Sequence, residues 1–168
     1  MEVSKHLVDL ITNSLEALAK HVLVMIAEEE GGVALTVTDD GVGAAEGEIE
    51  RALRGEKAPR GNGLRLLKEQ AEQGGYFDYM SSEKGTSVRA VFKRPEMGRV
   101  GDALVVFWQE MTAIADITLS VTSKRGVYCF DSRLIGEKYG DPADIRTMVK
   151  VREDVNYTLI NLFGGNKE

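Results

Sequence analysis

The 168-residue sequence has one cysteine, no long apolar run and fewer basic than acidic residues. A single cysteine cannot form a disulfide within the chain, so a reducing cytoplasm is the default compartment. The longest mostly apolar stretch, residues 15–27, is interrupted by charged side chains and falls short of the roughly 18 apolar residues that a membrane span needs. Glu2, His6 and Asp9 interrupt the N-terminus where a secretory signal would be apolar. We therefore expect neither a membrane association nor secretion.

The charge balance also excludes a class of partner. With 21 basic and 27 acidic residues, the chain carries a net charge of −6. Proteins that hold nucleic acid through its phosphates present a positive field, so we expect no general nucleic-acid binding. The length and the 43% hydrophobic content suit one domain, or one core with a smaller appendage.

Glycine is distributed unevenly, and six of the 18 glycines lie within residues 41–63. Glycine costs backbone entropy on folding, so a cluster indicates positive φ angles or a backbone that must approach something closely. The cluster is consistent with a long flexible surface loop or with a ligand site.

The hydrophobic pattern alternates between helical and strand periods along the chain. It predicts helices over residues 2–20, 45–53, 63–73, 102–115 and from 141 onward, and strands over residues 22–28, 33–39, 76–81, 86–93, 117–122 and 127–131. Asp102 and Asp141 are the predicted N-caps of the last two helices. Cys129 alternates within the last strand and is expected to be buried.

Residues 94–101, which contain Pro95, Gly98 and Gly101, are the best candidate boundary. They divide the chain into residues 1–97 and a small helix-hairpin-helix appendage, residues 98–168, whose role the sequence does not indicate.

Familiar glycine-rich and metal sites do not fit the cluster. No glycine-lysine-serine/threonine tripeptide occurs, which excludes a Walker-type phosphate loop. Glu46 and Leu66 occupy the positions where a dinucleotide fingerprint needs its third glycine. A calcium loop starting at Asp39 or Asp40 does not have the sixth-position glycine and the twelfth-position carboxylate together, and one cysteine with two histidines cannot form a zinc site of the usual kind.

Four other segments combine polar residues and glycines. His6, Asp9, Asn13 and Glu16 form one stripe on the first helix, which alone would suit a solvated face. Residues 39–43 (DDGVG) follow a strand, residues 61–64 (GNGL) open a helix whose free amides can attract phosphate, and residues 85–86 (GT) begin a strand.

In this order the four segments resemble the conserved boxes of the GHKL ATPases, the superfamily that joins gyrase-type, Hsp90-type, MutL-type and histidine-kinase ATP-binding domains. Residues 7–17 resemble its N-box helix, residues 39–43 its D-x-G-x-G box, residues 61–64 with Lys68 its G-x-G-L box, and residues 85–86 its G-T box. The resemblance covers about residues 1–95 and is greatest to a histidine-kinase-like ATP-binding domain. It implies an α+β fold of the Bergerat type, a two-layer sandwich in which helices cover one face of a mixed, mostly antiparallel sheet.

The resemblance also implies a ligand and a role for each residue. Asn13 would ligate Mg²⁺ through its amide oxygen, a hard donor that suits this ion. Asp39 would accept a hydrogen bond from the adenine amino group, which would favour ATP over GTP. Gly41 and Gly43 would let the backbone pass beside the base, and Thr86 would contact the base or a bridging water.

Residues between Gly43 and Gly63 would form a lid over the nucleotide. The amides of Gly61, Asn62 and Gly63 would contact the phosphates at the start of the helix that Leu64 continues. Arg60, Arg65 and Lys68 are candidate phosphate partners, although Arg65 and Lys68 fit solvated helix charges equally well.

Two positions depart from the family pattern. Asp9 stands where hydrolytic members carry a glutamate base, and its side chain is one methylene shorter, which weakens it as a candidate base. Asp40 replaces a common asparagine. His6 and His21 lie too near the start of the chain for the helical hairpin that carries a phosphoacceptor histidine, so we expect neither to be one.

These expectations favour a Mg-ATP-binding regulatory protein whose nucleotide state controls a protein partner or a homodimer. An alternative is an enzyme, either a slow ATPase or a serine/threonine protein kinase of the anti-sigma-factor type. A third is a GHKL fold that no longer binds nucleotide.

Overall fold

The structure is a computed structural model that describes residues 1–56 and 62–164. Its strands are β1 (His21–Glu29), β2 (Gly32–Asp39), β3 (Tyr76–Ser82), β4 (Gly85–Phe92), β5 (Asp116–Ser123) and β6 (Gly126–Asp131). Its α-helices are α1 (Val3–Glu16), α2 (Glu48–Leu53), α3 (Asn62–Glu72), α4 (Val100–Val105), α5 (Trp108–Ala113), α6 (Ile135–Lys138) and α7 (Ile145–Phe163), with one 3₁₀ turn at Ser132–Leu134.

The six strands form one sheet in the order β3-β4-β2-β1-β5-β6. Every neighbouring pair is antiparallel except β1 and β5, which are parallel. Along β1, the buried residues Val22, Val24 and Ile26 alternate with more exposed ones, because successive side chains point to opposite faces of a sheet. One face therefore carries the core beneath the helices, and the predicted mixed, mostly antiparallel α+β fold is confirmed.

The C-terminal hairpin belongs to this same sheet. Strand β5 pairs along β1, with Val22 opposite Ile117 and Val24 opposite Leu119. Helix α7 packs on α4, which in turn contacts α1, and a single hydrophobic cluster includes residues from both sides of residue 97. The sequence pattern predicts the hairpin but not its strand partner, and the division at residue 97 stays a prediction.

Several predicted helix ends were wrong, each for a local reason. Helix α1 ends at Glu16 instead of residue 20, because Leu18 adopts a positive φ of 62° and turns the chain into β1. The helix predicted over residues 102–115 is two short helices, and Asp102 lies in the first turn of α4, where its carboxylate accepts a hydrogen bond from Asn156.

Helix α7 starts at Ile145 and not at residue 141. The side chain of Asp144 caps it by accepting a hydrogen bond from the backbone N–H of Arg146. Asp141 instead accepts one from Ala143 in the preceding turn. Cys129, which was expected to be buried, is exposed on β6.

Within the described part of the chain, none of the helices combines the length and apolarity needed to cross a membrane.

Candidate functional site

A cavity of about 470 Å³ lies between α1, α2 and the ends of β2 and β4. This volume is within the range that holds small organic ligands. Val37 and Val88 contribute an apolar floor from the sheet, and Ile49 and Ala52 of α2 contribute an apolar wall. The remaining lining residues are Leu10, Asn13, Ser14, Glu16, Ala17, Asp39, Val42, Gly43, Ala44, Glu48, Leu64 and Thr86.

Five of the residues predicted to bind nucleotide line this one cavity, namely Asn13, Asp39, Gly43, Leu64 and Thr86. They come from four segments that are far apart along the chain, and the sheet brings them together. Asp39 ends β2 directly opposite Thr86 on β4, so both side chains stand on the same face. Gly41 is buried beside the cavity. Arg60 and Gly61 lie outside the described residues, whereas Asn62 begins α3.

Asp39 is held by three protein donors. Its Oδ1 accepts hydrogen bonds from the backbone N–H groups of Gly41, at 2.9 Å, and of Thr86, at 3.2 Å. Its Oδ2 accepts one from the hydroxyl of Ser14, at 2.7 Å. A carboxylate has about four acceptor directions, so this arrangement leaves about one for a ligand in the cavity.

Thr86 is connected to a second serine. Its Oγ1 lies 2.8 Å from Ser81 Oγ, and Ser81 Oγ also accepts the backbone N–H of Ala44 at 2.9 Å. Ser81 thus joins the end of β3, the start of β4 and the segment that leads from the D-x-G-x-G box toward α2.

Close backbone contacts within the protein explain why both positions of that box are glycine. A β-carbon added at Gly41 would lie 2.6 Å from the carbonyl oxygen of Ala17. Gly43 adopts a φ of +75°, and a β-carbon there would collide with the carbonyl oxygen of Ser82. Both glycines therefore allow close backbone packing around the cavity, and their predicted approach to a base stays a prediction.

The polar stripe on α1 divides into two parts. His6 is buried, stacks on Phe92 at 5.9 Å and contacts Gln70 Oε1 through Nε2 at 2.6 Å, so it is part of the packing between α1 and its neighbours. Asn13 and Glu16 are exposed toward solvent and line the cavity.

Asp9 lies on α1 beside the first turn of α3. A β-carbon at Gly63 would stand 2.9 Å from its Oδ2. Although Asp9 is exposed over part of its surface, desolvation by these neighbours raises the pKa of its carboxyl, against a smaller opposing effect of His6. Asp9 is not among the residues that line the cavity.

The second aspartate of the box faces away from the cavity. Asp40 Oδ1 accepts hydrogen bonds from the backbone N–H groups of His21, at 2.9 Å, and Lys20, at 2.8 Å, and the His21 bond is the main reason that its pKa is lowered. Asp40 therefore fixes the start of β1. The side chains of Asp39 and Asp40 point in different directions, although the two residues are adjacent in the sequence.

The comparisons with known proteins agree with this geometry. Residues 2–96, more than half of the chain, match the family described as "Histidine kinase-, DNA gyrase B-, and HSP90-like ATPase". The chain belongs to this family. Membership in this ATPase family supports nucleotide binding by the domain, and the predicted GHKL resemblance is confirmed.

Two solved structures are similar in fold to this ATPase-family chain. One, described as the crystal structure of the N-terminal domain of a DNA repair protein, has a TM-score of 0.58 and 15% identity over 83% of this chain and 57% of its own. The chain thus spans little more than half of that structure. The other, the Aquifex aeolicus MutL ATPase domain complexed with ADP, has a TM-score of 0.48 and 14% identity over 90% of this chain and 68% of its own. No curated protein matches the sequence.

Two serines that the structure places at the site had no predicted role, although Ser14 lies within the N-box segment. Ser14 is 2% exposed and holds Asp39, and Ser81 holds Thr86. A serine inside a helix or strand carries no signal of its own. The packing of α1 against β2 brings the Ser14 hydroxyl to Asp39, and the register of β3 and β4 brings the Ser81 hydroxyl to Thr86. The phosphate-partner alternatives for Arg65 and Lys68 stay open, although Lys68 also forms an i,i+4 ion pair with Glu72 at 3.7 Å.

Among the described residues, no group of three histidine, cysteine, aspartate or glutamate side chains could hold a metal ion. A cation in this cavity would therefore depend on few protein ligands. Asn13 and Glu16, one turn apart on α1, bring an amide and a carboxylate to the same opening, and oxygen donors suit Mg²⁺.

Proposed function

We propose that the protein is a Mg-ATP-binding regulatory protein of the GHKL type, in which the nucleotide state controls a protein partner. The supporting observation is the single cavity that collects Asn13, Asp39 and Thr86 from three different elements of an ATPase-family fold. The apolar floor of Val37 and Val88 suits a flat base, and the polar residues stand at its edge.

Each residue would have a chemical task in this proposal. Asp39 would accept the adenine amino group through its remaining acceptor direction, and Thr86 would contact the base beside it. The amides of Gly61, Asn62 and Gly63 would bind phosphate at the start of α3, where the helix dipole favours negative charge.

Magnesium would enter with the nucleotide. Asn13 would supply one oxygen ligand, while waters and phosphate oxygens would occupy the other positions, as is usual for this ion. Bound Mg²⁺ would neutralise phosphate charge at a cavity that also carries the carboxylates of Asp39 and Glu16.

Regulation would act through α2. Ile49 and Ala52 form part of the cavity wall, and Glu50 of the same helix accepts a hydrogen bond from the Tyr79 hydroxyl at 2.6 Å. A nucleotide that fills the cavity would contact α2 directly, so it would favour one position of this helix over another. The partner would bind more tightly to one position of α2 than to the other.

The test is calorimetric titration of the protein with Mg-ATP and Mg-GTP. The wild type should prefer ATP, and Asp39→Asn should bind ATP about ten- to a hundredfold more weakly, because a hydrogen bond to a charged group is lost. Asp40→Asn is the matched control, since this neighbouring carboxylate bonds to backbone away from the cavity. The proposal fails if the wild type binds no ATP, or if Asp39→Asn and Asp40→Asn bind it equally well.

A slow ATPase or a serine/threonine protein kinase is the second candidate function, and it has an observation of its own. The raised pKa of Asp9 moves this carboxyl toward the range in which a general base works, and the residue lies beside the first turn of α3. Its short side chain and its place outside the cavity lining favour binding over turnover.

Phosphate release from Mg-ATP separates the two candidates. A pure switch predicts equal background release by wild type and by Asp9→Asn, which keeps the shape of the side chain but removes the base. Turnover by the wild type that disappears in Asp9→Asn, with ATP affinity unchanged, would replace the switch by an enzyme.

A further inference from the structure

Ser81 contacts both sides of the candidate base pocket. Its hydroxyl oxygen accepts the backbone N–H of Ala44 at 2.9 Å and lies 2.8 Å from Thr86 Oγ1. The adjacent Ser82 carbonyl fits so closely against Gly43 that no β-carbon could be placed there. The segment after β2, the end of β3 and the start of β4 therefore meet at one serine.

The hydrogen count at Ser81 allows its hydroxyl to donate to Thr86. A hydroxyl has one hydrogen to donate and two acceptor lone pairs. One lone pair of Ser81 receives the Ala44 amide, so the hydrogen remains available to the nearby Thr86 oxygen. If Ser81 donates there, Thr86 becomes the acceptor of that bond and its own hydrogen is left for the cavity.

Asp39 supplies a hydrogen-bond acceptor next to the Thr86 hydroxyl. Its two oxygens already accept from Ser14, Gly41 and the Thr86 backbone, which leaves about one acceptor direction. The cavity would then present one acceptor beside one hydroxyl donor. The adenine edge offers an amino donor beside a ring-nitrogen acceptor, whereas guanine offers a carbonyl acceptor beside an N–H donor.

We infer that Ser81 is a positioning residue for base selection: it turns the Thr86 hydroxyl into a hydrogen-bond donor, so that Asp39 and Thr86 together match adenine and not guanine. Ser81 contacts no ligand itself and acts through Thr86 and Ala44. This role rests on the proposed function, because it concerns the same nucleotide site.

The experiment compares the ATP and GTP affinities of four proteins, measured by competition against one fluorescent ATP analogue. Ser81→Ala removes the donor, and the ATP affinity should fall about three- to tenfold, the effect of one neutral hydrogen bond. GTP affinity should fall less or rise, so the ATP-to-GTP ratio should decrease by a similar factor. Ser81→Thr keeps a hydroxyl and should restore the ratio.

Ser82→Ala is the matched control. Ser82 is the exposed neighbour on the same strand, and its hydroxyl accepts the Lys84 backbone N–H in the β3–β4 turn instead of contacting Thr86. It should keep both affinities at the wild-type values. Thermal unfolding of all four proteins without nucleotide shows that each is folded before the affinities are compared.

The outcomes distinguish a failure of the proposed function from a failure of the role of Ser81. No ATP binding by the wild type would overturn the proposed function and this role with it. Wild-type binding with an unchanged ATP-to-GTP ratio in Ser81→Ala, or an equal loss for both nucleotides, would overturn only the role of Ser81. Failure of Ser81→Thr to restore the ratio would also overturn it.

Discussion

Two hydrogen-bonded clusters of this protein differ in a way that separates binding from stability. The cavity cluster consists of Ser14, Asp39, Ser81 and Thr86, and all of these except Ser81 line the cavity. The C-terminal cluster consists of Tyr128, Tyr139 and Asp154, three half-buried residues whose polar groups point at one another.

In the C-terminal cluster both tyrosine hydroxyls donate to Asp154 Oδ2, the Tyr128 hydroxyl from 3.2 Å. Lys138 lies over the two rings, 5.6 Å and 5.3 Å from their centroids. These contacts join β6 and α6 to α7 and border none of the main cavity. A partly buried polar cluster alone is therefore no sign of a ligand; a cavity with an unused donor or acceptor is the additional requirement.

The largest expected effect comes from the backbone around the cavity cluster. Gly43→Ala should lower the free energy of unfolding by about 2 to 4 kcal/mol, because an L-residue at positive φ costs about 1 to 2 kcal/mol and a forced contact adds a similar amount. It should also weaken ATP binding, since Ala44 must move away from Ser81.

Gly31→Ala is the control for Gly43→Ala. Gly31 has a similar φ of +84°, but a β-carbon there meets no atom within 4 Å. It should cost only about 1 to 2 kcal/mol and leave ATP binding intact. Chemical denaturation of both variants measures the difference, and equal losses would remove the argument that Gly43 is needed for the contact with β3.

The C-terminal cluster should affect stability alone. Asp154→Ala leaves two half-buried hydroxyls without their shared acceptor and should lower the free energy of unfolding by about 2 kcal/mol. The neighbouring Glu153→Ala should change it by about 0.5 kcal/mol or less, because this exposed residue faces Arg152 only at 3.9 Å. A large loss of ATP affinity in folded Asp154→Ala would break the contrast between the two clusters.

The smallest effect is expected from pH. Burial, followed by the hydrogen bond to Asp154, raises the pKa of Tyr139 from 10.0 to about 12, and burial raises that of Tyr128 as well. Between these values the folded protein binds more protons than the unfolded chain, so stability is fully present below pH 10 and is lost as pH rises from 10 to about 12.

Tyr139→Phe tests this alkaline dependence. Unfolding midpoints measured at about pH 9 and about pH 11 should differ less in the variant than in the wild type, because one shifted group is gone. An equal alkaline loss in both proteins would show that Tyr139 does not carry the shift. Nucleotide affinity at neutral pH should stay unchanged.

The sequence predicts the site motifs of residues 1–97 better than it predicts the role of residues 98–168, for a physical reason. Segments such as residues 39–43 and 85–86 combine glycines and polar residues at strand ends, where backbone geometry leaves few alternatives. Strand periodicity places all six strands to within about one residue at each end, so the difference lies in the site motifs and not in the strands. The family match over residues 2–96 accords with these site motifs.

What the sequence leaves undetermined depends on contacts between distant residues. The Ser14 hydroxyl reaches Asp39 only when α1 packs against β2, and the Ser81 hydroxyl reaches Thr86 only when β3 and β4 are in register. Leu18 adopts a positive φ that its side chain disfavours, and no local sequence pattern predicts that α1 ends here. Asp141 is the predicted N-cap of the last helix, but it accepts the Ala143 N–H in the turn before α7, and Asp144 caps the helix instead.

The parallel pairing of β1 with β5 has a consequence for the order in which the chain can fold. Paired residues of these two strands lie about 95 residues apart along the chain. This pairing therefore forms slowly compared with the β1–β2 and β3–β4 hairpins. During synthesis, β1 emerges early and keeps one edge of unpaired amides and carbonyls until residue 123 has left the ribosome. The C-terminal hairpin thus covers the edge of β1, and β6 takes its place as the edge strand of the sheet.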